Sequence, residues 1–307
     1  MAHSFCAFGG AHIDRIGMFD TAFHLGQSHP GHWHQNLGGV AANVACHLQR
    51  FSDASVSFAG LFGDDDAAQW IQSELNQCGL QLMPNQPLQA ASPSYTAIHQ
   101  QDGAVIAGLS DMVLYRQMDA DWAQKAAQFG KASSIWVVDT NMSGAALQIL
   151  GEMKGQSSLY IVAVSPAKMQ PVVQNIQHID GLICNLAEAR ELLGQQSVNV
   201  ADAARALNQL GLAHAIITDG ANPCVSSKTD EELQSAQPNP IDSSAHLTGA
   251  GDAFAAAFLH SYFMAHPQNC QFALSHAVNC ATLALQQPQT CPALSWQDIR
   301  EFQASNE

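Results

Sequence analysis

From about Asp119 to Gly220 the chain alternates between short apolar runs and helical stretches, and this rhythm constrains the fold more than any other feature. "DADWAQKAAQFG" is helical and "SIWVVDT" is a buried strand. Helix "SGAALQILGEMK", strand "LYIVAV", helix "PAKMQPVVQNIQ" and strand "GLICN" follow, then helices "LAEARELLG" and "VADAARALNQLG" and strand "HAIITDG". Short apolar strands that alternate with helices imply a mostly parallel sheet covered on both faces. Beyond Gly220 come short strands "CVSS" and "EELQSA", a glycine-rich helix start and two C-terminal helices.

The N-terminal third has a different texture. "SFCAFGGAHIDRIG" holds two extended runs broken at Gly9-Gly10, and "FHLGQSHPGHWHQN" adds short extended pieces punctuated by Pro30 and Gly31. "GGVAANVACHLQRF" then reads as a helix with Val40, Val44, Ala45, Leu48 and Phe51 on one buried face. "ASVSFAGLFG" is a strand. "DDDAAQWIQSELNQCG" is a helix whose first turn carries Asp64, Asp65 and Asp66. "SYTAIHQQDGAVIAGLS" reads as a β-hairpin turning at Asp102-Gly103. No repeat, linker or low-complexity segment divides the 307 residues, so one α/β domain (1–307) is expected, with strands inserted at roughly 11–35 and 93–110 as a small β-lid.

Charge narrows the partners. Lys and Arg number 11 against 26 Asp and Glu, a net charge of -15, which argues against nucleic acid or an anionic membrane as the main partner. No apolar run approaches the length of a membrane span. "MAHSFCAFGG" lacks the basic and apolar pattern of a signal peptide, and the eight cysteines form no C-x-x-C pair. A cytoplasmic enzyme with reduced thiols is the expectation.

Three stretches carry chemistry. In "LTGAGDAFAAAF", Gly249 and Gly251 permit close backbone approach, and successive N–H groups at a helix start make an anion-binding nest. No Gly-Lys-Ser/Thr follows, so this is not a Walker A loop. A carboxylate, Asp252, stands in the nest, either as an ordinary first-turn acid or with chemical work to do. In "NLGGVAANVA", Gly38 and Gly39 precede Asn43, an amide able to donate to and accept from sugar hydroxyls. In "CNLAEARELLG", Asn185 and Glu188 share a helix face; they suit either a capping box or a water-mediated Mg²⁺ site.

In this order, the three stretches resemble those of the PfkB/ribokinase family of sugar and nucleoside kinases, and the resemblance spans essentially the whole chain. It implies a ribokinase-like fold, with a Rossmann-like, mostly parallel sheet flanked by helices and a small β-sheet lid. It also implies ATP and Mg²⁺ as cofactors, with K⁺ or another monovalent cation as a further option. By the resemblance, Asp252 is the base for the accepting hydroxyl, and the amides of Gly249, Ala250 and Gly251 form the anion hole. Backbone dipoles and Mg²⁺ then make a lysine dispensable. The resemblance further implies that Asp14, Gly38, Gly39, Asn43 and Thr96 bind substrate, that Asn185, Thr218, Asp219, Gly220, Thr248 and Asn279 border the nucleotide, and that Glu188 reaches the metal through water. In the family resembled, lid strands of this kind often pair between subunits, so a homodimer through the lid is expected.

"SHPG" (Ser28 to Gly31), "SPSYTAIHQQDGAVIAGLSDMVLY" and "VSPAKM" (Val164 to Met169) are similar to segments of bacterial pseudouridine kinases. Ala42, Ala163, Cys184 and Leu247 depart from the common patterns, so ribokinase- or fructokinase-type acceptors stay open, as does an idle nucleoside- or sugar-binding sensor. The intact Thr248-to-Asp252 motif argues against the sensor. His29, His32 and His34 are read as lid or surface histidines rather than a metal site, and Trp33 as cover for a ring or an interface residue.

Overall fold

The computed structural model describes residues 3–52, 54–84, 88–102, 104–241 and 249–306. Thr248, Leu247 and Gly103 lie outside the described residues. The strands are β1 (Phe5–Phe8), β2 (His12–Phe19), β3 (Gly31–Gly38), β4 (Val56–Ala59), β5 (Gln81–Leu82), β6 (Ser94–His99), β7 (Val105–Asp111), β8 (Ile135–Asp139), β9 (Ser158–Val162), β10 (Gly181–Asn185), β11 (His214–Asp219), β12 (Asn222–Lys228) and β13 (Gln234–Ala236). The helices are α1 (Val40–Phe51), α2 (Asp66–Gln77), α3 (Ala120–Gly130), α4 (Gly144–Met153), α5 (Gln170–Gln174), α6 (Leu186–Leu193), α7 (Val200–Gln209), α8 (Ala250–His260), α9 (Cys270–Leu285) and α10 (Trp296–Asn306).

Strand alternation sets the layers. In β1 the side chains of Phe5 and Ala7 enter one core while Cys6 and Phe8 enter the other, and in β8 Ile135 and Val137 part from Trp136 and Val138 in the same way. One core takes α1, α8 and α9 through residues such as Val44, Leu48, Phe254, Phe258 and Leu274. The opposite core takes α3, α4, α6 and α7 through Trp122, Leu147, Leu150, Leu192 and Leu207. Among the described residues the large sheet runs β13-β12-β11-β10-β9-β8-β1-β4-β5, parallel from β11 to β5 and antiparallel at β12 and β13. From β1 the chain builds one way through β4 and β5, then returns to build the other way through β8. The β1/β8 boundary is therefore a topological switch point, where ligands bind beyond the strand C-termini.

A second, smaller sheet runs β3-β2-β6-β7. β6 and β7 pair antiparallel, as the hairpin pattern predicts. β2 and β6 pair parallel, Asp14 opposite Tyr95, a join that local sequence does not announce. Asp65 caps α2, accepting from the Ala68 N–H at 2.9 Å, in keeping with the acid run at that helix start. The expected helix over "PAKMQPVVQNIQ" is a correction: it breaks into a 3₁₀ turn at Pro166–Lys168, the short α5, and a second 3₁₀ turn at Ile176–His178. Pro166 and Pro171 lack the N–H that a continuous helix would use. α1 is buried on more than the one face the spacing predicts, because α8 packs over it.

Candidate active site

Both sheets contribute to one cavity of about 610 Å³. The C-terminal ends of the parallel strands form its floor, through Asn141 after β8, Val162 to Val164 after β9, Ile183 to Asn185 at β10 and Thr218 at β11. The small sheet forms its wall. Asp14, Tyr95 and Ser110 stand opposite one another across β2, β6 and β7, so period-two alternation turns all three to the same side. His12, two residues before Asp14, has Nε2 3.1 Å from Asp14 Oδ1, and its Nδ1 lies 3.0 Å from the Tyr115 hydroxyl. Gly38 sits close by: a Cβ there would come within 2.6 Å of Asp14 Oδ2 and His12 Nε2. At Gly39, φ is +105° and a Cβ would meet the Gly10 carbonyl oxygen at 2.3 Å. The Gly-Gly pair thus lets α1 start hard against the β1–β2 turn and the Asp14 side chain.

Beneath that wall lies the start of α8. Gly249 occupies the N-cap at φ +90° and makes no side-chain cap, so the first-turn N–H groups stay available to an anion. Asp252 follows in the first turn. Its Oδ2 accepts from Asn43 Nδ2 at 2.8 Å. Burial pushes the Asp252 carboxyl up to about 7, against the Asn43 hydrogen bond, which pulls the other way. Asn43 is itself buried, and among the described residues its Oδ1 has no hydrogen-bond partner. A buried, unpaired acceptor that lines a cavity is suited to a ligand hydroxyl.

Asn185 and Glu188 make the capping box in full: Glu188 N–H donates to Asn185 Oδ1 at 2.9 Å, and Asn185 N–H donates to Glu188 Oε2 at 2.8 Å. Both residues still line the cavity. Burial raises the Glu188 carboxyl above its ordinary range, and the hydrogen bonds from Asn185 oppose it. Among the described residues no three His, Cys, Asp or Glu side chains are grouped to hold a metal ion. A lone buried carboxylate at this place suits a cation held mainly by waters and phosphate oxygens, the habit of Mg²⁺.

A smaller apolar cavity of about 330 Å³ adjoins the first, sharing Thr218, Gly251 and Phe254 with it. Gly220, Ala221, Pro238, Ile241, Val278, Ala281 and Leu285 are among the residues that line it. Its volume and apolar lining suit a flat heterocycle, with α8's first turn at the seam between the two spaces.

Residues 2–297 of the 307 match the model of the pfkB family carbohydrate kinases. The chain belongs to the pfkB family. An uncharacterized sugar kinase, YeiI, from Escherichia coli is 25% identical over 282 residues, covering 90% of this chain and 76% of that protein. A carbohydrate kinase from Agrobacterium tumefaciens superposes with a TM-score of 0.87 at 29% identity, over 99% of this chain and 97% of its own. Arabidopsis thaliana ribokinase, solved with ribose and ATP, shares the ribokinase-like fold at a TM-score of 0.80 and 17% identity, over 99% of both chains.

Against this pfkB framework, the residues singled out in the sequence divide clearly. Asp14, Gly39, Asn43, Asn185, Glu188, Thr218, Gly249, Gly251 and Asp252 line the main cavity, and Gly220, Ala250 and Gly251 line the apolar one. Thr96 lines neither. Alternation in β6 turns its neighbour Tyr95 to the cavity and Thr96 to the other face. Asp219 accepts from Asn222 Nδ2 at 3.0 Å within the β11–β12 turn and lines neither cavity. Asn279 is buried, 3.3 Å from Asn239 Nδ2, beside the apolar cavity rather than in its lining. Trp33 pairs with Gly17 on the outer face of the small sheet, away from Asp14, and is 60% exposed. His32 bonds to Asp20 at 3.0 Å, and its ring meets that of His34 edge-on.

The sequence reading also missed three side chains. Asp139, buried at the end of β8, accepts from the N–H groups of Gly10, Ala41 and Asn141 and from Asn141 Nδ2, tying three site segments together. Asn141 in turn accepts from Lys168 Nζ. Among the described residues Lys168 is the one lysine or arginine in the lining of the main cavity, which also includes the acids Asp14, Glu188 and Asp252. Burial lowers the Lys168 ammonium from its ordinary range, while Asp139 pulls it back up. The sequence reading assigned no lysine to this site; Lys168 reaches the lining from the Pro-broken turn after β9. Only the "SPAK" turn hinted at it.

Proposed function

We propose that this pfkB-family protein transfers the γ-phosphate of ATP to a primary hydroxyl of a sugar or nucleoside, with the 5′-OH of pseudouridine as the first acceptor to test. The observation that carries the reading is Asp252 standing in the uncapped first turn of α8, at the seam between the main cavity and a smaller, more apolar one. The acceptor lies in the main cavity, its hydroxyls held by Asp14 and by Oδ1 of Asn43, which has no partner among the described residues. The adenine lies in the apolar cavity. The transferring phosphoryl group then sits over the amides of Gly249, Ala250 and Gly251, and Asp252 Oδ1 or Oδ2 takes the proton of the attacking hydroxyl. A base whose carboxyl ionises near 7 matches proton transfer at neutral pH. Glu188 would hold Mg²⁺ through water, and the ion would supply charge neutralisation at the phosphates.

Lys168 faces the phosphate end, next to Asn141, Asn185 and Glu188, and acts as a point charge on ATP. Replacing it by Met is expected to raise KM for ATP by about tenfold or more while leaving acceptor KM nearly unchanged, a charged hydrogen bond being worth ~1.5–3 kcal/mol. Steady-state kinetics with each substrate varied in turn checks this. Unchanged KM for ATP removes Lys168 from the site.

Pseudouridine is favoured because residues of two segments similar to pseudouridine kinases line the cavity: Tyr95, Ser110 and Met112 from one, Val164 and Lys168 from the other. A ring stacked on Tyr95 would read a flat base. A coupled ADP-release assay over pseudouridine, uridine, adenosine, ribose and fructose tests the assignment. Preference for ribose or fructose makes the protein a sugar kinase of ribokinase or fructokinase type, and saturable binding without turnover makes it a sensor.

We also infer a homodimer through the outer face of the small sheet. Trp33 at 60% and Leu109 at 70% exposure lie on that face, and among the described residues β3 and β7 are open edges. Sedimentation at micromolar protein is expected to give a dimer that Trp33→Lys converts to monomer; a monomeric wild type rejects it. No helix among the described residues is long and apolar enough to cross a membrane. We place the enzyme in the cytoplasm, in keeping with its eight free cysteines.

A further inference from the structure

Asp14 does not stand alone in the wall of the main cavity. His12 precedes it by two residues on β2, so period two turns both side chains to one face, and both line the cavity. Behind Asp14, His12 makes a second contact. Its Nδ1 lies 3.0 Å from the Tyr115 hydroxyl, and the two rings meet edge-on at 61°. Tyr115 belongs to neither sheet: it sits in the 3₁₀ turn Val113–Gln117 that follows β7, in the same core as Leu114, Met118 and Trp122. The bond therefore joins the exit of β7 to the first residue of β2, strands that β6 separates in the small sheet.

Two glycines make room for this chain of contacts. A Cβ at Gly10 would lie 2.7 Å from the Tyr115 hydroxyl, and one at Gly38 would lie 2.6 Å from both His12 Nε2 and Asp14 Oδ2. Gly38 stands directly opposite His12 across β2 and β3. A side chain at either position would displace one end of the Tyr115–His12–Asp14 series.

The proton positions follow from the partners present. Among the described residues His12 is the one hydrogen-bond partner of the buried Tyr115 hydroxyl. Burial, with the charges of Asp139 and Asp14 adding to it, pushes the phenol well above its ordinary range, so the hydroxyl keeps its proton. That proton goes to His12 Nδ1, which accepts. The imidazole then carries its own proton on Nε2 and donates it to Asp14 Oδ1 at 3.1 Å. The opposite tautomer would set a nitrogen lone pair against a carboxylate oxygen and leave the Tyr115 hydroxyl proton without an acceptor. An imidazolium would strand that proton in the same way. Asp14 Oδ2 makes no hydrogen bond among the described residues, so one oxygen of Asp14 is held and the other is left to a ligand.

We propose that Tyr115 and His12 are positioning residues that hold Asp14 in one orientation as a hydrogen-bond acceptor, so that a ligand hydroxyl donates to its Oδ2. His12 acts through Asp14, and Tyr115 acts through His12. Fixing the tautomer from the core spares the site the cost of ordering Asp14 when the ligand arrives. The effect on acceptor binding rests on the kinase reading; the tautomer does not.

Nitrogen-15 NMR of the full-length protein, labelled on histidine, reads the tautomer with no ligand present. The His12 signals are those that vanish in H12N and shift in Y115F. The expected result at neutral pH is a His12 ring protonated on Nε2 alone, and a mixture of tautomers in Y115F. Y115F removes one oxygen and keeps the ring, and is expected to raise KM for the acceptor about tenfold while KM for ATP stays within about twofold. Y115F/H12N should be no worse than H12N, because the two residues act in series. A His12 ring protonated on Nδ1, or on both nitrogens, overturns the proposal. So does a Y115F that leaves acceptor KM unchanged or raises both KM values alike, and so do additive losses in the double variant. A wild type that turns over no acceptor defeats the kinase reading, whereas the NMR result decides the tautomer without it.

Discussion

Replacing Asp252 by Asn is expected to abolish turnover with every acceptor while leaving ATP affinity nearly intact. The substitution keeps size and keeps a hydrogen-bonding partner for Asn43 Nδ2, but it removes the only ionisable group in the first turn of α8. A positioned base contributes ~10²–10⁴ in rate, so a loss at the upper end of that span is the expected outcome. The wild-type rate should also carry an acid limb. With the Asp252 carboxyl pushed up to about 7 by burial, kcat/KM rises as pH passes through about 7 and levels off above it. Stability moves the opposite way. A carboxyl raised above its unfolded value stabilises the fold most below the unfolded value, near 4, and loses that contribution as pH rises through about 7. The Asn variant lacks this loss, so its melting temperature should exceed that of the wild type at pH 8 by more than at pH 4. Isothermal titration with ATP, a pH–rate profile and thermal melts at the two pH values check the three parts.

Gly249→Ala is expected to be nearly as damaging, for a reason rooted in the backbone. Gly249 stands at φ +90°, where an L side chain is strained, and its new Cβ would lie 1.8 Å from the Thr290 carbonyl oxygen. The helix start must shift, and the amides that receive the phosphoryl group shift with it. Misplacing such donors costs ~10²–10³ in kcat, and the strained conformation costs ~1–3 kcal/mol of stability. Gly251→Ala is the matched control. Nothing lies within 4 Å of a Cβ there, and Ala is the better helix former, so it should fold at least as stably as the wild type. Urea unfolding together with kcat for the two variants checks the contrast. Equal effects of both would mean that the α8 turn is not held by Thr290.

How much of this was legible in the sequence differs from residue to residue. The apolar run of β8 and the helices around it state their own layer structure, because side chains of opposite parity must go to opposite cores. The start of α8 was equally plain, since two glycines around Ala250 leave few alternatives. The pairing of β2 with β6 was not, because period two tells which residues share a face but not which strand lies alongside. The same limit explains Thr96 and Tyr95: alternation separates them, and only the assembled sheet shows which one turns inward. Lys168 stayed hidden because two prolines break the segment that carries it, so no periodicity placed it. Asp139 read as the end of a strand, and its four hydrogen bonds depend on segments that the chain brings together only on folding.

The most direct test of the account is phosphorus NMR of the purified protein with ATP, Mg²⁺ and the acceptor panel. The account predicts that the γ-phosphorus signal of ATP is replaced by a phosphomonoester signal coupled to CH₂ protons, with wild type but not with Asp252→Asn. An ester formed at comparable rate by the Asn variant, or a wild type that releases only inorganic phosphate, would contradict it.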